Sequence, residues 1–363
     1  MSVNEESRKS MPARRWRNRL LTLMGLVLFS LYLLWAENYG SDYLIRILNN
    51  TAIFITLAVS YNLINGITGQ LSLGPNAFIA IGAYTSALLT LSPAEKQLSF
   101  IIEPIIWPLS VIQIPFFWTL VAAGIVTAFF AFLMGFPVFR VRGDYLAIVT
   151  LGFGEVVRAV ANNLQTITNG PLGLKGLQAY TNLWWSWGFA MITVAVIVRL
   201  VNSSFGLAMK AGRENEVAAS AMGVNVFRAN MLAFTLSAFF QGVAGGLLAH
   251  LVTTISPTLF TFFLTFNLLT IIVAGGLGST TGAVIGSFLF SFGGEWLRAV
   301  EEPMEIFGLD IPGIPGMRMV IFSVILIFLM IFVRRGIMGR NEFSWDWLLE
   351  RSPLARVFRG GGK

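Results

Sequence analysis

Ten long apolar segments, separated by short polar connections, dominate the sequence. They cover residues 20–36, 45–64, 71–91, 116–139, 145–164, 183–201, 231–252, 263–277, 281–297 and 317–333. A helix needs roughly 20 apolar residues to cross a bilayer, and it satisfies its own backbone hydrogen bonds, which lipid cannot do. The sequence therefore predicts an all-α fold, a polytopic membrane helix bundle of about ten transmembrane helices. Because glycines interrupt the third, eighth and ninth segments, eight or nine helices are also compatible with the pattern.

The scarcity of charge and of reactive side chains excludes several classes of protein. Charged residues make up 12% of the chain, against roughly 25% in soluble domains, which is too few to cover a water-exposed surface. The chain has no cysteine and a single histidine, His250, so we expect no disulfide framework and no metal site. Scattered carboxylates argue against a membrane enzyme such as a lipid transferase, which would cluster its acid, base or metal ligands. We expect no catalytic residue.

The distribution of positive charge predicts the topology. If the N-terminus is cytoplasmic, most lysines and arginines fall in predicted cytoplasmic segments, as the positive-inside rule requires. This bias also explains the net charge of +7 without a nucleic-acid partner. Both termini are then inside. We divide the chain into a basic N-terminal tail (1–19), a transmembrane domain (20–335) with a cytoplasmic loop (202–230), and a C-terminal tail (336–363) whose residues 343–358 have an amphipathic pattern.

Two glycine-rich interruptions, at residues 66–75 and 275–282, lie in the two halves of the chain. Unwound backbone at membrane depth is tolerated only where protein or a water-filled cavity satisfies it. Paired interruptions of this kind point to a substrate path in transporters, although glycines also allow helices to pack closely. The candidate path residues are Gly66, Gly69, Gln70, Ser72, Gly74, Asn76, Gly275, Gly276, Gly278 and Ser279.

The fifth apolar segment contains two charged residues, Glu155 and Arg158. At positions i and i+3 of a helix they are neighbours and can pair, so we expect a buried charge pair. Such a pair either stabilises a helix interface or contacts a zwitterionic substrate or a partner subunit. An ion-coupled secondary transporter would have ionisable residues deep in several helices. Since only one segment has them, this class is an alternative and not the first interpretation.

The cytoplasmic loop 202–230 is predicted to fold as a helix, a turn and a second helix. Alanine and glutamate favour a short helix, Gly223 can end it, and Asn225 can cap the next helix. A helical element on the inner surface is what a motor subunit would bind.

Several blocks of sequence resemble a known family. Residues 216–223 resemble the cytoplasmic coupling loop of ABC importer permeases, which carries Glu-Ala-Ala followed by Gly. Residues 61–84, 142–151, 169–174 and 275–279 resemble the LivM-like subunit of the branched-chain amino-acid permease family. The resemblance extends over roughly residues 44–335, nearly the whole membrane part of the chain.

The resemblance implies a permease subunit of an ATP-driven importer for branched-chain or other neutral amino acids, with the helix arrangement of type II importers. It implies a bacterial inner-membrane location, a LivH-like second permease, two ABC ATPase subunits and an extracytoplasmic binding protein. Because this chain lacks the Gly-x-x-x-x-Gly-Lys-Ser/Thr motif, ATP and Mg are expected on the ATPase subunits. An importer of urea or a short amide is the close alternative.

The resemblance also assigns the residues that would couple the chain to the ATPase: Glu214, Glu216, Ala218, Ala219 and Gly223. Glu216 lies seven residues before Gly223, one more than the general spacing, so Glu214 and Glu216 are both candidates for the family's glutamate. The family usually has a histidine after Ser72-Leu73-Gly74, where this chain has Pro75 and Asn76.

Overall fold

The computed structural model describes residues 3–100, 103–140, 145–297, 304–306, 309–311, 317–332, 336–339 and 341–343. The chain divides into two compact units, residues 1–45 with 341–363, and residues 46–340. In the first unit, helix α1 (Val3–Tyr39) includes most of the segment predicted as a tail. Its side chains at Leu23, Val27 and Leu31 are exposed, as on a helix that faces lipid. Apart from Phe343, the predicted amphipathic segment 343–358 lies outside the described residues.

The second unit is helical, with two small two-stranded sheets among its described residues. A π-helix, Leu63–Thr68, continues α2, and 3-10 turns span Gly170–Leu172 and Pro257–Phe260. The strands are β1 (Leu174–Lys175), β2 (Thr254–Ile255), β3 (Met304–Ile306) and β4 (Leu309–Ile311), paired antiparallel as β1–β2 and β3–β4. The helices are α2 (Asp42–Asn62), α3 (Pro75–Thr90), α4 (Pro93–Ser99), α5 (Phe116–Val138), α6 (Tyr145–Asn163), α7 (Gln165–Thr168), α8 (Leu183–Val201), α9 (Ser204–Glu214), α10 (Glu216–Ala221), α11 (Val226–Val252), α12 (Phe262–Gly275), α13 (Thr280–Trp296) and α14 (Met317–Phe332).

Helix α3 lies at the centre of this unit, packed between α5 and α11. Most of its side chains are buried, and Phe78 contacts the edge of Phe234 on α11, with ring centroids 5.5 Å apart. A Cβ at Gly82 would overlap the backbone of Gly242, so the small residues allow α3 and α11 to approach closely. The core is thus built from an apolar helix that is buried except along a half-buried stripe of Ile81, Thr85 and Leu89.

The described residues contain six helices long and apolar enough to cross a membrane: residues 16–39, 42–68, 116–138, 145–163, 183–201 and 226–252. Helices α12 and α13 form a pair bent by 120° that would count as a seventh span. The predicted count of about ten is therefore not reached by length alone. Helices α3 and α14 have only 16 residues each, and α3 is short because residues 71–74, which belong to the third apolar segment, are not helical.

The longer helices from α2 to α13 run between two sets of connections, each joined by contacts of its own, so these helices alternate in direction. The break end contains residues 69–74, α9, α10 and residues 276–279. The opposite end contains residues 91–100, 103–115, 164–182 and 253–261. There Lys96 is fully buried, and its Nζ donates to the carbonyl oxygen of Leu109 at 2.7 Å. The pairing of β1 with β2 joins two of these connections.

Candidate coupling and translocation site

The first break, residues 69–74, separates the π-helix from α3 and is held by side chains. The hydroxyl of Tyr61 donates to the carbonyl oxygen of Ser72 at 2.6 Å. The side-chain oxygen of Asn65 accepts from the Ser72 backbone N–H at 3.2 Å, and its amide donates to the Ser72 carbonyl at 3.3 Å. From α6, the hydroxyl of Thr150 accepts from the backbone N–H of Leu73 at 2.8 Å. The non-helical backbone at Ser72 and Leu73 is therefore satisfied by groups of the protein itself.

The second break, residues 276–279, separates α12 from α13 and is held by backbone contacts. Gly276 and Gly278 have φ values of 124° and 89°, which side chains disfavour. A Cβ on Gly275 would overlap the carbonyl oxygen of Gly282. The backbone N–H groups of Ile337 and Met338 donate to the carbonyls of Ala274 and Gly275 at 2.9 and 3.0 Å. Residues 336–339 thus cap the C-terminal end of α12.

The second break is bonded to Asn62, at the end of α2, and lies against the π-helix that precedes the first break. The side-chain oxygen of Asn62 accepts from the backbone N–H of Gly278 at 2.9 Å, and its amide donates to the carbonyl of Ser279 at 2.9 Å. Gly66 lies directly against Gly278, because a Cβ on Gly66 would overlap the Gly278 backbone. The structure therefore brings Gly66, Gly278 and Ser279 together, although they were picked out from distant parts of the sequence.

The predicted coupling residues lie on two short helices, not one. Asn215 is extended between α9 and α10, and its side-chain oxygen caps α10 by accepting from the Ala218 N–H at 2.9 Å. Glu214 is therefore the last residue of α9, and Glu216 is the first of α10, where its charge favours the helix N-terminus. The turn predicted at Gly223 is confirmed by its φ of 82°.

Helix α10 presents an exposed surface. Val217 and Met222 are 79% and 85% exposed, and Ala218 is also exposed, whereas Ala219 is buried at 6%. As predicted, the side chain of Asn225 caps the next helix by accepting from the Arg228 N–H at 2.9 Å. A small apolar surface of this kind on a membrane protein is suited to a protein partner.

Arg213, which the sequence analysis did not single out, connects this surface to the breaks. Its Nη1 donates to the carbonyl oxygen of Gly66 at 2.8 Å, and its Nη2 pairs with Glu214 at 3.0 Å. A Cβ on Gly69 would overlap the Arg213 side chain, and one on Gly278 would lie 3.3 Å from Nη1. The sequence signal was only a cation in a basic loop, and the partner at Gly66 is 147 positions away.

Comparison with known proteins decides the family. A family model described as "Branched-chain amino acid transport system / permease component" matches residues 43–334. The chain belongs to this permease family. It is LivM-like, since it is 34% identical to a protein of Salmonella typhimurium named "High-affinity branched-chain amino acid transport system permease protein LivM", over 78% of this chain and 69% of that one. For the LivM protein of Escherichia coli the identity is 35%, over 69% and 63%.

A more distant similarity links the chain to a second kind of permease. The "High-affinity branched-chain amino acid transport system permease protein LivH" of Salmonella typhimurium is 25% identical over 80% of this chain and 92% of that one. No solved structure matches the chain significantly. The chain is thus a multi-pass membrane permease that matches about two thirds of the length of its LivM relatives.

In this permease, several predicted path residues have structural contacts of their own. Asn76 is 2% exposed. It donates to the Phe260 carbonyl at 3.2 Å and accepts from the Thr265 hydroxyl at 3.1 Å. Gly74 lies against the carbonyl of Thr150, so that a Cβ would be 2.5 Å from the oxygen. By contrast, Gly69 is exposed and Gln70 is half-exposed. Asn76, which with Pro75 stands where the family usually has a histidine, therefore joins the start of α3 to the second half of the permease.

The charge pair predicted in α6 is present, but it is not buried in this chain. Arg158 Nη2 lies 2.5 Å from Glu155 Oε2, and the two side chains are 42% and 43% exposed. The expectation of burial was wrong for the single chain, because α6 lies at the side of the bundle and buries only Leu146, Thr150, Gly154 and Ala161. The helical spacing determines the pairing, whereas the burial depends on which neighbours cover that face.

Proposed function

We propose that this chain is the LivM-like permease subunit of an ATP-driven ABC importer that moves branched-chain or other neutral amino acids across the bacterial inner membrane. The observation that carries the proposal is the position of Arg213, at the end of α9 next to the exposed α10, with its side chain against Gly66, Gly69 and Gly278 at the two breaks. A transporter without a motor subunit has no need for such a link. The family and its LivM and LivH relatives support the substrate class and a LivH-like partner.

The proposed arrangement places the break end in the cytoplasm, with both termini inside and about ten crossings, as in type II importers. Each of the ten predicted segments contains a helix, and the alternation from α2 to α13 puts α9 and α10 on the same side as both breaks. Two ATPase subunits would bind Glu214, Glu216, Ala218, Ala219 and Gly223, and an extracytoplasmic binding protein would deliver substrate to the opposite end. ATP and Mg would be bound by the ATPases.

Labelling of single cysteines tests the topology. Because the chain has no native cysteine, Met222→Cys and Leu98→Cys can be labelled without background, and both side chains are exposed, at 85% and 76%. We expect a membrane-impermeant maleimide to label Leu98→Cys on intact spheroplasts and Met222→Cys only after permeabilisation. The reverse pattern would contradict the proposed orientation.

A pull-down and a transport assay test the function itself. We expect the tagged chain, extracted in mild detergent, to copurify with a second polytopic permease and P-loop ATPases. The reconstituted complex should take up radiolabelled leucine with ATP and the binding protein. A chain that purifies alone and transports with a proton or sodium gradient would support a secondary transporter. Uptake of urea but not leucine would assign the urea branch.

A further inference from the structure

We propose that Arg213 is the positioning residue that transmits movement of α10 to both breaks. The inference rests on the proposed function, and it adds a specific side chain to a mechanism that the coupling surface alone does not explain. Arg213 is the penultimate residue of α9, directly before the extended Asn215 junction with α10. A displacement of α10 by a motor subunit therefore reaches Arg213 within two residues.

Helix α9 is anchored at its other end. Gly206 packs against the backbone of Leu200 and Val201 at the end of α8, and Met209 is fully buried. Gly212 lies against Val226 at the start of α11, with 3.0 Å between its ideal Cβ position and the valine side chain. Because α9 is held at these points and α10 is exposed, force applied to α10 acts mainly at the junction beside Arg213.

The first break receives the guanidinium at a helix C-terminus. The last carbonyls of a helix lack intrahelical partners and carry partial negative charge, which a cation satisfies. Arg213 Nη1 donates to one of them, the Gly66 carbonyl, at 2.8 Å, and its methylene groups cover Gly69, which has a φ of 71°. Movement of Arg213 therefore changes how the π-helix ends and where the first break begins.

The second break lies against the same side chain. Nη1 is 3.3 Å from the ideal Cβ position of Gly278, and Gly278 also donates its N–H to Asn62 at the end of α2. One side chain thus pairs with Glu214 at the end of α9, donates to Gly66 in the π-helix, covers Gly69 of the first break and lies beside Gly278 of the second break. An arginine suits this position because its rigid fork presents several donors, whereas a lysine ammonium is a single point charge on a flexible stem.

The test uses the complete complex, purified and reconstituted with its ATPases and binding protein. Arg213→Gln removes the charge, Arg213→Lys keeps it without the fork, and Arg199→Gln is the matched control at the exposed end of α8. We expect Arg213→Gln to retain its ATPase subunits and at least half of the ATP hydrolysis. Its uptake per ATP should fall at least tenfold, with Arg213→Lys intermediate and Arg199→Gln like the wild type.

A second measurement separates transmission from a merely structural contribution. Leu71 lies in the first break and is 49% exposed. In Leu71→Cys the new cysteine would be the only one of this chain. We expect ATP with vanadate to change its maleimide labelling rate at least threefold when Arg213 is present. With Arg213→Gln the rate should be the same with and without nucleotide. A structural defect alone would shift both rates and keep their ratio.

Three results would overturn the inference. They are unchanged uptake per ATP in Arg213→Gln, a parallel fall of hydrolysis and uptake, and a nucleotide response at Leu71→Cys that survives the substitution. Loss of the ATPases from Arg213→Gln would assign the residue to assembly and would overturn it as well. If the wild-type complex shows no ATP-driven uptake, the proposed function fails, and this inference fails with it.

Discussion

The two breaks solve the same structural problem in different ways. In the first, four hydrogen bonds from Tyr61, Asn65 and Thr150 satisfy a non-helical backbone. In the second, Gly275 packs directly on Gly282, and residues 337 and 338 donate backbone N–H groups to the end of α12. The first break is therefore specified by side chains that bind its backbone, and the second mainly by glycines that let backbone segments pack closely.

This difference predicts opposite sensitivities to substitution. The first break should lose stability when a hydroxyl or an amide is removed, because a buried N–H or carbonyl is left without a partner. The second should lose stability when a methyl group is added to one of its glycines, because closely packed backbone cannot move aside without disturbing both helices. Asn62, which binds the second break from the end of α2, should respond to removal of its amide.

The largest effect is expected from Gly275→Ala. The new Cβ would overlap the Gly282 carbonyl, and relief requires α12 and α13 to separate. We expect the free energy of unfolding to fall by about 3 kcal/mol, at the upper end for overpacking. Unfolding of the purified permease can be followed by the fluorescence of its ten tryptophans.

The matched control is Gly293→Ala on α13, where a Cβ meets no atom within 4 Å. Since alanine is the better helix former, this variant should be neutral or more stable by up to about 1 kcal/mol. Equal unfolding transitions for the two alanine variants would show that the second break does not depend on close backbone approach.

Asn62→Ala should have the next largest effect, because it leaves the Gly278 N–H and the Ser279 carbonyl without this partner. With two backbone groups affected, we expect a loss of about 2 kcal/mol. Asn62→Asp keeps the acceptor for Gly278 but places a carboxylate against the Ser279 carbonyl at a site that is 1% exposed, so it should cost at least as much as alanine. A wild-type unfolding transition in Asn62→Ala would show that the two breaks are held together by glycine packing alone.

The sequence predicts the local features of this site and misses the long-range ones. The glycine-rich breaks, the turn at Gly223 and the cap at Asn225 each depend on a few neighbouring residues, and the structure has all of them. The bonds of Asn62 to Gly278 and of Arg213 to Gly66 join positions 216 and 147 residues apart. No periodicity or propensity encodes such a contact, because it depends on how the helices pack.

The same reasoning explains why one helix has the predicted bounds and another does not. The sequence predicts α8 with the bounds observed, residues 183–201, because an apolar run with a capping Asn182 determines both ends locally. The third apolar segment is continuous in hydropathy, yet its first residues are non-helical because Tyr61, Asn65 and Thr150 bind them there. Side-chain bonds from other elements therefore override the apolar pattern.

Thr150→Val tests the first break, which is held by side chains, and its expected effect is smaller. Valine has a similar shape but leaves the Leu73 N–H without its partner, so we expect a loss of about 1–2 kcal/mol. Thr127→Val on α5 is the control, since that hydroxyl donates to the Ala123 carbonyl of its own helix at 2.7 Å, and it should change stability by less. If both valine variants unfold alike, the first break does not depend on this bond.

The smallest effect is expected at the opposite end, where the same kind of bond is made near solvent. Glu95 accepts from the Ser92 backbone N–H at 2.9 Å and from its hydroxyl at 2.8 Å, in a capping box for α4. The bond from the Ser92 backbone, with that from its hydroxyl, lowers the pKa of Glu95 below its ordinary value of 4.5.

A carboxylate with a lowered pKa stabilises the fold above its ordinary pKa, and this contribution disappears as the pH falls through the lowered value. Glu95→Gln should therefore cost less than about 1 kcal/mol at pH 7, and the difference from wild type should shrink as the pH is lowered below 4.5. Unfolding measured at several pH values checks both expectations. If Glu95→Gln and Thr150→Val lowered the free energy of unfolding equally, the burial of the first break would not explain the strength of its side-chain bonds.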